Sequence, residues 1–198
     1  MNRPAVHAAL TGRDYGRVRV GPRCQYADGI MIADAIRLLL FPALMAFAAS
    51  SDLLTMTISN RVSLALVGSF FVLALAIGMP LADIGMHVGA ALAVLAVTFV
   101  FFARGWIGGG DAKLAAATAL WLGFDQLLNY FIFASLFGGV LTLAIMRFRL
   151  MPLPALLANQ EWAKRLHRMD AGVPYGIALA LAALCVYSDT PFMKSLGL

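Results

Sequence analysis

Long apolar segments alternate with short polar connections along this chain, and the alternation is its strongest signal. A helix that spans a membrane needs about 20 mostly apolar residues. The pattern predicts helices over roughly residues 32–50, 62–79, 85–103, 112–124, 126–146 and 173–187. The fourth segment is short, which suggests a tilted helix or one that starts inside the protein. The predicted fold is therefore all-α, a polytopic membrane protein with about six transmembrane helices.

The composition agrees with this fold class. Hydrophobic residues make up 62% of the 198 residues and charged residues only 13%, whereas soluble domains are nearly half apolar and about a quarter charged. Cys24 and Cys185 lie far apart and form no CxxC pair, which excludes a disulfide framework and a four-cysteine zinc site. Cys185 lies in an apolar segment, so we expect it to be a small buried hydrophobe. His87 is isolated, so we expect a packing or surface residue rather than a ligand.

The positive charges lie mainly in alternate connections, which predicts the orientation in the membrane. The net charge is +5, but this distribution favours a topology signal over binding to nucleic acid. The connections after the second and fourth helices carry only Asp83 and Asp125. Cytoplasmic loops are rich in Lys and Arg, so the other connections should be cytoplasmic; their basic residues are Arg61, Arg104, Lys113, Arg147, Arg149, Lys164, Arg165 and Arg168.

Residues 1–30 do not fit this topology. They hold five arginines and no long apolar run, yet the predicted orientation places them outside the cell, against the usual charge bias. We interpret them as a polar basic extension that is dispensable and not native, with translation starting at Met31. The alternative is a genuine tail held inside by an altered first helix. Residues 31–198 would then form the membrane-embedded domain.

The connection between the fifth and sixth helices, residues 152–172, is the longest internal one. Trp162 and Leu166 are four residues apart, which predicts a short amphipathic helix at the membrane surface. A solvated basic loop is the favoured interpretation of this segment, and a contact with substrate or lipid is the alternative.

Two aspartates, Asp52 and Asp111, lie beside apolar segments on the predicted cytoplasmic side. A carboxylate at a membrane boundary is costly and marks a functional site. Paired carboxylates can hydrolyse a bond by acid–base chemistry without a metal or a nucleophilic Ser or Cys. Each could instead be a boundary carboxylate, and Asp111 could cap the following helix. Their shared side favours one site.

The glycines of residues 108–110, which precede Asp111, would let a substrate backbone approach closely. They do not form a phosphate-binding loop, because the Lys-Ser/Thr ending and a preceding strand are missing. Two distant aspartates without a His or Glu partner make a poor metal site. We therefore expect no metal and no cofactor.

Three segments in order resemble the aspartic prepilin peptidases, membrane proteases of the GxGD type. Gly108, Gly110 and Asp111 match the motif that names the group, and Lys113 follows as in many members. The segment from Asp52 to Asn60 resembles the first-aspartate motif, with Ser59 where the family usually has proline. Residues 173–176, which include Pro174, Tyr175 and Gly176, resemble the start of the last helix. The resemblance covers roughly residues 31–190.

The resemblance implies an aspartic endopeptidase of the cytoplasmic (inner) membrane of bacteria. One ionised aspartate would take a proton from water while the other, protonated, donates to the scissile carbonyl, so that the pKa values belong to the pair. The substrate would be a small prepilin with a basic leader and an apolar helix. The chain shows no domain with two CxxC pairs, so it resembles the peptidase-only form associated with Flp (Tad-type) pili, and methylation is not expected.

Other functions remain open on the sequence. A preflagellin peptidase or a presenilin-like protease would use the same two aspartates on another substrate. A small proton-coupled transporter would be expected to show internal repeats and charges at the membrane midplane, neither of which is evident. A non-catalytic assembly protein would tolerate replacement of both aspartates. The expected partners are a prepilin and the lipid bilayer, and the oligomeric state is not predicted.

Overall fold

The structure, a computed structural model, describes residues 23–154 and 157–194. Its contacts divide the chain into Met1–Ala33 and Asp34–Leu198, and both Asp52 and Asp111 lie in the second unit. Over the described residues the chain is helical without β-strands, which confirms the all-α class. The helices are α1 (Arg23–Thr55), α2 (Asn60–Ala76), α3 (Leu81–Ala103), α4 (Gly109–Leu150), α5 (Glu161–His167), α6 (Gly176–Tyr187) and α7 (Pro191–Lys194).

Three helical segments are long and apolar enough to cross a membrane, namely Leu38–Thr55, Leu81–Ala103 and Gly109–Leu150. Two further apolar helices, Asn60–Ala76 and Gly176–Tyr187, are shorter than this. The count of six transmembrane helices therefore remains a prediction. The extension predicted over residues 1–30 falls largely outside the described residues.

The end of the first helix differs from the predicted boundary. Helix α1 ends at Thr55 rather than near residue 50, so Asp52 lies in its last turn and not in a connection. Helix α5 forms within the long connection, and both Trp162 and Leu166, whose spacing indicated a short amphipathic helix there, are half-buried in it.

The predicted fourth and fifth helices are the two parts of α4, which is broken at Gly123. This residue has φ 66° and ψ 179°, a backbone conformation that glycine adopts without the steric cost of a Cβ. In the turn before the break, the carbonyl of Leu120 lies 2.7 Å from Nδ1 of buried His87. A carbonyl only accepts, so Nδ1 carries the proton and donates. His87 is thus a packing residue, as expected.

The first part of α4 is the central helix of the bundle. Its residues from Leu114 to Gly123 are all buried, and α4 contacts α2, α3 and α6. Trp121 lies two residues before the break, and its ring centroid is 5.0 Å from those of both Phe41 and Phe192. Its Nε1 donates to the carbonyl of Leu66 at 2.9 Å. Burial on every side explains why this short segment is apolar all round.

The outer surface carries many large apolar side chains, including Leu128 at 72% exposed and Leu75 at 71% exposed. Such a surface suits contact with lipid rather than water. Cys185 also lies on this surface, so the expectation that it is buried was wrong. The reason is the register of α6, whose buried face is formed by neighbours such as Ala182, Ala183 and Val186.

Candidate active site

Asp52 and Asp111 lie between two cavities, and both aspartates line each of them. The first cavity, of about 740 Å³, is also lined by Trp106, Val173 and Tyr175. The second, of about 390 Å³, is lined by residues of the α1–α2 connection and of the starts of α2 and α4, among them Thr57, Ile58, Asn60, Gly109, Gly110 and Lys113. The structure therefore brings together the two carboxylates that the sequence singled out.

Asp111 is held by the start of its own helix. Gly108 is the N-cap of α4 and Asp111 the third residue of the helix. The carboxylate accepts a hydrogen bond from the backbone amide of Gly108, as the acidic member of a capping box does. A Cβ at Gly108 would lie only 3.1 Å from Oδ2 of Asp111. Asp111 therefore stabilises the amino-terminal end of α4. In this position its carboxylate lies on the wall of both cavities.

Asp52 is held by the start of a different helix. It is only 5% exposed, and its Oδ2 accepts a hydrogen bond of 2.7 Å from the backbone amide of Gly176. Gly176 is the first residue of α6, where free amides and the helix dipole favour a negative charge. The third sequence motif thus contacts the first aspartate directly, although 124 residues separate them.

Ile58 fills the space between the two helix starts. A Cβ at Gly110 would lie 3.1 Å from Cβ of Ile58, and a Cβ at Gly176 would lie 2.8 Å from Cδ1 of Ile58 and 2.8 Å from Oδ2 of Asp52. Both glycines are therefore required for close packing around the site, in addition to any role in substrate approach.

Tyr175 forms part of the wall of the first cavity. Its hydroxyl donates to the carbonyl of Ala134 at 3.2 Å, and its ring lies against Gly138, where any Cβ would overlap the ring. Burial raises the pKa of the Tyr175 hydroxyl, and the negative charge of Asp111 raises it further. The hydroxyl therefore stays protonated at neutral pH and remains a donor. Pro174 is buried beside it and does not line the cavity.

Asn60 and Lys113, predicted as supporting residues from different motifs, contact each other. Nζ of Lys113 donates to Oδ1 of Asn60 at 2.9 Å. Just before Asn60, Ser59 caps α2 with φ −66°, and its hydroxyl accepts from the amide of Arg61 at 3.3 Å. Proline has this same φ, so serine keeps the backbone shape that the family's proline would impose and adds a cap.

Sequence reasoning missed the role of Arg149, which it counted only as a topology charge. Nε donates to the carbonyl of Leu166 at 2.9 Å, and Nη2 donates to those of Ala171 and Gly172 at 2.9 and 2.8 Å. One guanidinium therefore binds three carbonyls of the segment that leads to Gly176. The residue type was the one indication in the sequence, because the planar guanidinium of arginine can donate to several acceptors at once.

Arg165 makes a second link of this kind. Its Nη1 donates to the carbonyl of Leu54 at 3.0 Å, two residues from Asp52. The connection between α4 and α6 is thereby attached to the end of α1 as well as to the end of α4. Among the described residues, no group of three His, Cys, Asp or Glu side chains could hold a metal ion.

These features define a helical membrane protein with two neighbouring carboxylates at one end of its bundle. The chain matches the type IV leader peptidase family over residues 39–143, more than half of its length. It therefore belongs to the type IV leader peptidase family, and membership makes it a protease of the prepilin-peptidase kind. The matched segment contains Asp52 and Asp111 and ends before Pro174. Neither the curated proteins nor the solved structures yield a match.

Proposed function

We propose that this protein is an aspartic endopeptidase that removes the leader of prepilins, with Asp52 and Asp111 as its catalytic pair. The observation that carries the proposal is the shared position of the two carboxylates between the same two cavities. Each is held by a backbone amide at a helix start, Gly176 for Asp52 and Gly108 for Asp111. Such contacts orient a carboxylate before the substrate arrives, which is what acid–base catalysis requires.

The mechanism follows from this arrangement. One carboxylate, ionised, takes a proton from a water molecule as the water oxygen adds to the scissile carbonyl carbon. The other, protonated, donates its proton to the carbonyl oxygen. As the carbon–nitrogen bond of the tetrahedral intermediate breaks, the new amine leaves with the proton that the first carboxylate took from water. A hydroxyl proton of the intermediate returns to the second carboxylate as the carbonyl reforms, so the pair again holds one proton. Two neighbouring carboxylates disfavour double ionisation and share one proton, so the roles belong to the pair and are not assigned individually.

The other motif residues act as supports in this proposal. Gly110 and Gly176 allow Ile58 to pack between the helix starts, and Gly108 holds Asp111. Tyr175 and Pro174 place the start of α6 against Asp52. Lys113 and Asn60 form the polar edge of the second cavity.

We propose the cytoplasmic face of the inner membrane as the location of the site. Arg149 and Arg165 attach the α4–α6 connection beside the aspartates, and basic connections of membrane proteins are cytoplasmic. The substrate class we propose is an Flp-type prepilin, on the strength of the sequence resemblance. We further propose that residues 31–198 are the peptidase and that residues 1–30 are dispensable. Deletion of residues 1–30 should leave activity unchanged, and a loss of activity would show this to be wrong.

The experiment that tests the function is co-expression with candidate prepilins, with leader removal read by gel shift and the cut site read by mass spectrometry. The proposal predicts a shortened pilin that retains its apolar helix. A matched control is the same protein with Asp52 and Asp111 both replaced by Asn. Cleavage of a preflagellin in place of every prepilin would instead assign the preflagellin type, and no cleavage by the wild-type chain would contradict the proposal.

A further inference from the structure

A third cavity, an apolar groove of about 490 Å³, lies between α2, α3 and the first part of α4. Its walls include Val67 and Phe71 of α2 and Leu92 of α3, and its floor includes Ala117 of α4. We call this surface the α2–α3 groove. Its one charged residue is Lys113, which lies with Asn60 at the end nearest the aspartates.

The α2–α3 groove is continuous with the site on one side only. Asn60 and Lys113 line both the groove and the second cavity, which in turn contains Asp52 and Asp111. The first cavity, with Trp106 and Tyr175, shares no residue with the groove. A chain that crosses the two aspartates would therefore have one side in the first cavity and the other side leading over the first turn of α4 into the groove.

The dimensions and composition of the groove suit a helix. From Asn60 to Phe71 it follows α2 for about 16 Å at 1.5 Å per residue, roughly three helical turns. Small residues at its floor, Ala116 and Ala117, let a helix backbone approach closely, as they do between membrane helices. The hydroxyl of Ser63, also in the lining, is buried and has no hydrogen-bond partner among the described residues. A polar group of an occupant can provide that partner.

We infer that the α2–α3 groove binds the apolar helix that follows the scissile bond of the substrate, while the leader lies in the first cavity against Trp106 and Tyr175. This inference rests on the proposed function. It places the amino end of the bound helix at Asn60 and Lys113 and directs the helix toward Phe71. Substrate selection then depends on apolar contact, which explains how a site with basic surroundings accepts a substrate whose leader is also basic.

Cross-linking from the groove tests this inference. A photoreactive amino acid at Leu92, which lines the groove and is 59% exposed, is compared with one at Leu128, which is 72% exposed outside it. Both are placed in an Asp111→Asn background so that the prepilin stays uncleaved. We expect the yield of prepilin cross-linked from position 92 to be at least about tenfold higher than the yield from position 128. Equal yields, or adducts with lipid alone, would overturn the inference.

Two alanine-to-phenylalanine substitutions, one inside the groove and one outside it, distinguish an effect on substrate binding in the groove from an effect on the cleavage step. Ala91 lines the groove, whereas Ala96 is exposed on the same helix outside the groove. A phenylalanine at position 91 would occupy space that the substrate helix needs, so Ala91→Phe should slow cleavage of full-length prepilin by about tenfold or more. It should leave cleavage of a short peptide that spans the cut but lacks the helix unchanged, and Ala96→Phe should affect neither substrate.

The outcomes separate the two proposals. Equal slowing of both substrates by Ala91→Phe, or slowing of neither, would overturn the groove while the wild-type protein still cleaves prepilin. Absence of cleavage by the wild-type protein would overturn the proposed function and, with it, the groove.

Discussion

Aspartates line a cavity at each end of the helix bundle, but the two groups differ in burial and in hydrogen bonding. At one end, Asp52 is buried and Asp111 half-buried, and each accepts a hydrogen bond from a helix-start amide. At the other end, Asp83, Asp125 and Asp189 line a cavity of about 350 Å³ beside His87. These three are exposed, and their carboxylates accept no hydrogen bond within the part of the chain that the structure describes.

The difference shows which property marks a candidate catalytic carboxylate. Position at the end of an apolar segment is common to both groups and does not separate them. Burial and a fixed hydrogen-bond donor do separate them. Burial of a carboxylate costs free energy that an exposed one avoids, and the backbone donor offsets part of that cost. The comparison therefore predicts that substitutions near Asp52 and Asp111 matter, while the same substitutions at the far end do not.

The largest effect is expected from removing either buried carboxylate. Asp52→Asn and Asp111→Asn should each reduce leader removal by at least about a hundredfold, because general acid–base catalysis contributes about 10²–10⁴. Asp125→Asn at the far end should remain within about twofold of the wild-type rate. Pulse–chase of a co-expressed prepilin measures all three. A similar loss from Asp125→Asn would remove the distinction between the two ends.

The next effect concerns the donor to Asp52. In Gly176→Ala the new Cβ would meet Oδ2 of Asp52 and Cδ1 of Ile58, each at 2.8 Å, so the carboxylate or the helix start must shift. A misplacement of about 1 Å can cost about a hundredfold, and we expect a loss of tenfold to a hundredfold in cleavage rate. Gly85→Ala in α3 is the matched control, because its Cβ meets nothing within 4 Å. Equal rates for the two variants would contradict the assigned packing.

Arg149 should matter through the connection that it holds. Arg149→Gln loses the fork that binds three carbonyls, and we expect about a tenfold lower cleavage rate, equivalent to about 1.4 kcal/mol. Limited proteolysis within residues 152–172 should become faster in parallel. Arg147→Gln, an exposed position in the same last turn of α4, should change neither readout. Unchanged proteolysis in Arg149→Gln would show that this residue does not hold the connection.

The smallest effect is expected from a substitution at Gly138, against which the Tyr175 ring packs. Gly138→Ala would force the Tyr175 ring away from α4, at a cost of about 1–3 kcal/mol in stability, with a few-fold loss of activity. The neighbouring Gly139→Ala has open space around its Cβ and serves as the control. Thermal unfolding in detergent compares the two. A variant Gly138→Ala as stable and active as Gly139→Ala would mean that the ring does not depend on this contact.

Much of this fold was accessible from the sequence. Apolar segments and turn residues located the helices, including the break near Gly123, because a membrane leaves helices as the main way to satisfy backbone hydrogen bonds. The motifs named Asp52, Asp111 and the residues around them. That Ser59 would keep the shape of the usual proline could not be read directly, since its φ depends on how α2 begins.

The remaining features depend on contacts between distant residues. Three contacts join segments that no periodic pattern relates. They are the hydrogen bond from Gly176 to Asp52, the binding of three carbonyls by Arg149 and the packing of the Tyr175 ring against Gly138. The extension of α1 to include Asp52 was also missed, because hydropathy falls at Ser50 and Ser51 although the helix continues. Cys185 was misplaced for a similar reason, since an all-apolar helix gives no indication of which face is buried.

The central claim is that Asp52 and Asp111 act as one catalytic pair, and the rate of leader removal by purified protein tests it most directly. Residues that act as a unit show strongly non-additive losses. We therefore predict that Asp52→Asn, Asp111→Asn and the double variant share one background rate, and that a chelator leaves the wild-type rate unchanged. A single variant that cleaves well above the double variant, or a wild-type enzyme inactivated by the chelator, would contradict the account.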